Sequence, residues 1–338
     1  MPGWAAWSRQ TGSVSRFAGN PKAKSNTAAG RWPGEKIARA ASLAAIFLTG
    51  LVLAGCGLGP GRDTGDAGLL VTRDYGREVL VANPEVAVSE SSDAMSLLDG
   101  NADLETSYGG EYVQSVDGIA GGTEAGRRSD WFYSVNGVVA ERGSAQFPVR
   151  GGDLVWWDYR DWTDAMEVGA VVGAYPAPFT TGYDERGWGV EIDCSGEPST
   201  CGMVRNQLEE DGAELNDTGE NMRLLVGTWD DLKDSPEGRR LAQGPGSSGV
   251  FGRFGSVAPG SARSLLGLDD HGNVAGVYSG EVGLVAAMRQ ADAPPVWLVT
   301  GLTPDGVRLA AGALNATDLG RRYAAVVSDG QTSSLPIP

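Results

Sequence analysis

The sequence predicts an α+β fold, in which a strand-rich segment of hairpins is followed by a small α/β segment of alternating strands and helices. Short apolar runs bounded by Gly, Asn and Asp recur from Leu69 to Trp162, as half-buried strands require. Within that segment Asn136-Gly137 separates two such runs, and this pair best tolerates the two positive φ angles of a tight hairpin. Beyond Phe179 the order strand, helix, strand occurs twice. A length of 338 residues suits two ordinary domains, and a hydrophobic content of 41% suffices for their cores.

The chain opens with a basic leader. Residues 1–55 hold Arg9, Arg16, Lys22, Lys24, Arg31, Lys36 and Arg39 against the single acid Glu35. AASLAAIFLTGLVLAGC, Ala40 to Cys56, is an apolar run of signal-peptide length and short for a stable membrane span. Its end, Leu53-Ala54-Gly55-Cys56, resembles the lipobox of bacterial lipoproteins. That resemblance implies a signal peptide over 1–55, cleavage after Gly55, a lipid on Cys56, and a body outside the cytoplasm anchored to the cell membrane. Residues 56–68, mostly GLGPGRDTGDAG, read as a flexible tether.

With Cys56 acylated, Cys194 and Cys201 are the two remaining thiols. In an oxidising compartment they are expected to pair across the turn-forming SGEPST. The rival use is a metal site, for which the single distant His271 leaves too few ligands.

LLVTRDY and EVLVA predict strands, and VAVSESSDAMSLLDG offers Ser91 or Ser92 as the N-cap of a short helix with Ala94, Leu97 and Leu98 on one face. LETSY and YVQSVDG follow, the second ending in an Asp117-Gly118 turn. DWFYSVNGVVAERG forms the hairpin, and RGGDLVWWDYRDW is the closing strand, launched at Gly151-Gly152-Asp153.

Four of these motifs, SSDAMSLLDG, YGGEYVQSVDGI, DWFYSVNGV and VRGGDLVWWDYRDW, occur in order over about residues 78–162. Together they resemble the transcobalamin-like C-terminal domain family, also described as domain of unknown function 4430, whose fold is similar to a soluble ligand-binding β-grasp. The resemblance implies a β-grasp-like N-terminal domain over 69–175. In the vitamin B12 carriers this domain closes over one face of the corrin ring against a helical barrel, for which the present sequence carries no pattern. The implied ligand is a corrinoid such as cobalamin, or another planar compound.

Alternation along the closing strand puts Val155, Trp157 and Tyr159 on one face and Leu154, Trp156 and Asp158 on the other. Trp131 and Tyr133 repeat the pattern, with Phe132 opposite. Three readings stay open. One aromatic set is core while the other packs on the second domain; or Trp131, Tyr133, Trp156, Trp157, Tyr159 and Trp162 supply a ligand-stacking platform; or they form a protein-docking patch.

Pro176 and Pro178 mark the joint to a small α/β domain over 179–338. MRLLVGTWDDL and VWLVTGLTPDG echo one another, each followed by a helical stretch and a second strand, GVFGRF or RYAAVV. Parallel pairing is expected inside each unit. LGLDDHGNVAGVY adds a hairpin through His271-Gly272-Asn273.

The formal net charge is −16, and removing residues 1–55 leaves 20 basic and 42 acidic residues, a net of −22. Such a body repels phosphate backbones, which excludes nucleic acid as a partner. The Gly-Thr steps lack the glycine spacing and Lys of a P-loop, and Ser247 and Ser248 lie outside a Gly-x-Ser-x-Gly elbow. His271 sits in a polar turn, and the acidic pairs Glu209-Glu210, Asp230-Asp231 and Asp269-Asp270 read as solvated loops. The expectation is a non-catalytic lipoprotein without a cofactor, capturing a corrinoid or other planar ligand for a membrane transporter. The alternative is a structural or interaction lipoprotein that meets another envelope protein.

Overall fold

The computed structural model describes residues 61–216 and 218–338 of a mixed α+β protein. Cys56 and the leader lie outside the described residues. Among the described residues no helix is long and apolar enough to cross a membrane.

The first half opens on the antiparallel hairpin β1 (Asp63–Arg73) and β2 (Glu78–Ser89). Residues 63–68, expected in the tether, already belong to β1, because their backbone pairs with Val86 to Ser89. The β1–β2 turn needs Gly76 at φ 81°, where a Cβ would lie 2.2 Å from the Arg321 carbonyl. Helix α1 (Ala94–Asp99) starts one residue later than expected. Its N-cap is Asp93, whose Oδ1 accepts from Ser96 N at 2.7 Å while Ser96 Oγ accepts from Asp93 N at 2.9 Å.

A small antiparallel sheet of β3 (Leu104–Ser107), β4 (Tyr112–Val116) and β5 (Ile119–Ala120) follows. Then come β6 (Gly122–Glu124), β7 (Arg127–Val135), β8 (Val138–Val139) and β9 (Leu154–Asp161). Asn136 at φ 52° and Gly137 at φ 79° make the expected hairpin turn between β7 and β8. The main sheet has the order β2-β1-β9-β7-β6, with β8 on β7. Its central pair β1–β9 is parallel and its other pairs are antiparallel.

The proline-rich joint is packed. Ala-Val-Val-Gly-Ala-Tyr, Ala170 to Tyr175, contains a 3-10 turn at Val172–Ala174. Pro178 and Phe179 are buried in α2 (Ala177–Thr180).

The second half contains β10 (Gly189–Cys194), α3 (Pro198–Glu210), β11 (Asn221–Thr228), α4 (Trp229–Leu232), α5 (Pro236–Gln243) and α6 (Pro245–Ser248). Next are β12 (Gly252–Gly255), β13 (Ser264–Leu268), β14 (Val274–Tyr278), β15 (Val282–Met288) and β16 (Val296–Gly301). The chain closes with α7 (Pro304–Gly312), α8 (Ala316–Leu319), β17 (Ala324–Ser328) and β18 (Gln331–Leu335). The large sheet runs β10-β11-β16-β15-β17-β18, and a small one runs β12-β13-β14.

Parallel pairing inside each echoed unit does not occur. Instead β11 and β16, the opening strands of the two units, pair parallel with one another. Their expected partners go elsewhere: β12 pairs antiparallel with β13, and β17 antiparallel with β15. The physical reason is insertion. In the second unit β15 enters between β16 and β17 and takes up the edge that a direct crossover would have used; in the first, β10 and β16 flank β11, and β12 joins the small sheet. The hairpin through His271 forms as β13–β14.

Both faces of β9 are covered. Val155 and Trp157 join a core with Leu97, Leu98 and Phe147, whereas Leu154 and Trp156 join another with Leu284, Tyr323 and Phe251 from the second half.

Candidate functional site: a cleft beside Trp162

The six aromatic residues of the expected platform separate into a buried set and a partly open set. Trp131, Tyr133, Trp156 and Trp157 are each less than 9% exposed. Tyr133 stacks on Trp157 with ring centres 4.9 Å apart, a cross-strand pair fixed by the β7–β9 register. Trp131 donates its indole N–H to the Ile119 carbonyl at 2.8 Å. On the opposite face Trp156 donates to Thr72 Oγ1 at 2.8 Å and meets Tyr323 edge-on at 5.4 Å. These four side chains are core on one face and seam on the other, so a stacking platform built from them is corrected by the structure. Burying such rings is also the larger stabilisation, because each removes a large apolar area from water.

Tyr159 is half-buried, packed on Trp131 and bonded to the Ala120 carbonyl at 3.0 Å. Trp162, one residue past β9, retains accessible surface. Ser129 lies opposite Asp161 in the ladder, so the next pair outward is Arg128 and Trp162. The Trp162 N–H donates to the Arg128 carbonyl at 2.9 Å, and the Arg128 guanidinium carbon stands 3.9 Å from the Trp162 ring centre.

This pair lines a cleft of about 280 Å³, together with Tyr112, Gln114, Asp130 and the backbone of Gly121 and Gly122. Tyr112 donates its hydroxyl to Asp130 Oδ2, while Asp130 Oδ1 accepts from Trp131 N at 2.9 Å. Burial, reinforced by the Asp130 hydrogen bond and charge, raises the Tyr112 pKa and keeps the phenol protonated. A Cβ at Gly121 would lie 2.5 Å from Asp130 Oδ1, so a larger residue at this wall would displace the carboxylate. Tyr108, 84% exposed, meets Tyr112 edge-on at 6.3 Å beside the cleft. The cleft therefore offers a partly open indole, a guanidinium, a carboxylate and an amide. This chemistry suits holding a polar-rimmed ring.

Sequence reasoning reached Trp162 but missed Tyr112, Gln114, Arg128 and Asp130. A usable signal lay in YGGEY, two tyrosines around a turn, and in counting the strand register outward to Arg128.

The remaining candidates stand apart from this cleft. His271 Nδ1 is 3.0 Å from Asp270 Oδ1 in an exposed turn. Ser247 and Ser248 donate to Gln243 and to the Gly244 carbonyl. Asp230 pairs with Lys233 and Arg263, and Asp231 caps α4. Cys194 and Cys201 form the expected disulfide, with Cα atoms 6.0 Å apart.

Residues 91–161 match a family described as Domain of unknown function (DUF4430). The match runs from before α1 to the end of β9 and takes in Tyr112, Arg128 and Asp130, with Trp162 one residue beyond it. No curated protein matches the chain.

Proposed function

We propose that the chain is a non-catalytic binding module held outside the cytoplasm by a lipid on Cys56, and that the cleft beside Trp162 receives its ligand. The lipobox-like Leu53-Ala54-Gly55-Cys56 supports the anchor, and the Cys194–Cys201 disulfide suits an oxidising compartment. The order β2-β1-β9-β7-β6, with a parallel central pair and α1 between the hairpin and the later strands, supports a β-grasp-like, transcobalamin-like reading of the first domain. The second domain packs against it through Trp156 and Tyr323.

The observation that carries the binding reading is that Trp162 keeps accessible surface under Arg128 while the other tryptophans of β7 and β9 are withdrawn. A cleft of about 280 Å³ falls just below the roughly 300–1,000 Å³ that encloses drug-sized ligands. The ligand is then a planar ring with hydrogen-bonding groups at its edge, and a corrinoid enters by one edge only. A membrane transporter is the proposed recipient. Exposed Tyr108 at the cleft rim favours a second reading, in which an envelope protein covers the same site.

The test is a titration of the purified protein with corrinoids and smaller planar compounds, followed by tryptophan emission corrected for inner-filter loss. Saturable quenching supports the ligand reading, and its absence across the panel favours the protein partner. Lipid labelling that persists in Cys56→Ser removes the anchor.

A further inference from the structure

A separate cleft of about 220 Å³ opens where three strand-to-helix connections meet in the second half. β10, β11 and β16 are parallel neighbours, so their outgoing turns emerge along one edge of the sheet, where open α/β sheets commonly hold ligands. Ser195, Glu197 and Thr200 come from the β10–α3 connection, Thr228 and Asp231 from β11–α4, and Pro304 and Val307 from the start of α7. The first two connections pack against one another at Gly227, whose Cβ position lies 3.4 Å from the Cβ atoms of Ser195 and Asp231. The Cys194–Cys201 disulfide ties the end of β10 to the first turn of α3 and fixes the wall between them.

The cleft has a positive pole and a negative pole. Helix α3 has 13 residues and no side-chain cap, so its first free N–H groups and its dipole face the turn unanswered. Thr200, in that first turn, is 2% exposed and lines the cleft, and its hydroxyl makes no hydrogen bond among the described residues. The hydroxyl oxygen is not among the fully buried atoms without a partner, so it stays open to a polar group that enters the cleft. Across from it, Asp231 Oδ2 accepts from Thr228 N at 2.9 Å and from Thr228 Oγ1 at 2.6 Å, leaving Oδ1 unengaged. Lys233 and Arg263 both pair with the adjacent Asp230, and among the described residues no cation pairs with Asp231. Glu197 adds a second carboxylate at the rim.

A simple anion is repelled by Asp231 and Glu197, and a simple cation by the end of α3. We propose that this cleft binds a small zwitterion of the amino-acid type. Its carboxylate lies against the N-terminus of α3 and the Thr200 hydroxyl, and its ammonium against Asp231 and Glu197. Its short apolar side chain faces Pro304 and Val307.

The test is calorimetric titration of the full-length protein with L-alanine, L-serine and L-valine, with acetate, methylamine and inorganic phosphate as single-pole comparators. The expected result is saturable binding of at least one amino acid, about tenfold or more tighter than any comparator. Thr200→Val should weaken that binding by about tenfold while leaving the melting temperature of the free protein unchanged or higher, because the lost hydroxyl had no partner. Asp231→Asn should weaken it comparably, and where loss of the α4 cap prevents folding, Thr200→Val decides alone. Trp162→Ala should leave this binding intact, which separates it from the cleft in the first half. The proposal is overturned if no amino acid binds the parent protein, if phosphate or acetate binds as well as the amino acid, or if Thr200→Val binds undiminished.

Discussion

Tyr323 donates its hydroxyl to Asp158 Oδ2 at 2.9 Å, a bond that closes 165 residues of chain and joins the two halves. Asp158 also accepts from Thr72 Oγ1 at 2.5 Å, Tyr75 N at 3.0 Å and Gly76 N at 3.1 Å, so a fully buried carboxylate is held by four donors. Arg160, 1% exposed, lies nearby over Phe132 and adds a compensating charge. Tyr323→Phe removes one donor and should cost about 1–2 kcal/mol, whereas Asp158→Ala strands several buried donors and should cost more. Urea unfolding of the two variants checks this, and an unchanged midpoint for Tyr323→Phe would mean that the seam bond is not a source of stability.

Asp158 also gives the protein a pH signature. Burial raises its pKa above the ordinary 3.8, against opposing hydrogen bonds from Thr72, Tyr323 and Gly76 and the charge of Arg160. Between the unfolded and folded values, the folded state binds more proton than the unfolded chain. The contribution of Asp158 to stability is therefore largest in acid and falls as pH rises above about 4. Subtracting the unfolding free energy of Asp158→Asn from that of the parent isolates this part, and the difference should decline from about pH 4 towards 7. A difference that grows over this range would mean that the donors outweigh burial.

Trp156 and Trp157 point to opposite faces but are each 2% exposed. Replacement of either by Ala should cost about 3–5 kcal/mol. The melting temperature should drop by many degrees in both variants, and a near-parental value in one would reopen the stacking platform on that face.

The disulfide closes a loop from Cys194 to Cys201, and in the chain-entropy model this constrains the unfolded state by about 2.5 kcal/mol. Reduction, or the paired change to Ser, should lower stability by that order. Free thiols at both positions in protein purified without reductant would remove the bridge.

Local signals made the fold's hairpins legible and left its long-range pairings hidden. Asn136-Gly137 and Asp117-Gly118 announced their turns because the φ requirement lies in two adjacent residues. The parallel pairing of β1 with β9, like that of β11 with β16, depends on strands far apart in sequence, and alternation cannot choose among such partners. Trp156 and Trp157 were readable as facing opposite ways. What covers the Trp156 face was not, because Tyr323 reaches it from the far end of the chain. Trp162 drew attention by its residue type, whereas Arg128 and Asp130 enter the site through register alone. Thr200 gave no signal at all, since a first-turn Thr that lines a cleft differs from an ordinary one only in three dimensions.

The most direct measurement of the binding account is a parallel titration and melt of the parent protein, Trp162→Ala and Arg128→Ala with any planar compound that quenches the parent. Trp162 is partly open and Arg128 exposed, so both variants should melt within a few degrees of the parent, as surface substitutions usually do. Each should weaken binding, Trp162→Ala by about tenfold or more, the size of one lost stacking contact of roughly 1–3 kcal/mol. Unchanged affinity in both variants, with the fold intact, would place the ligand elsewhere and contradict the account.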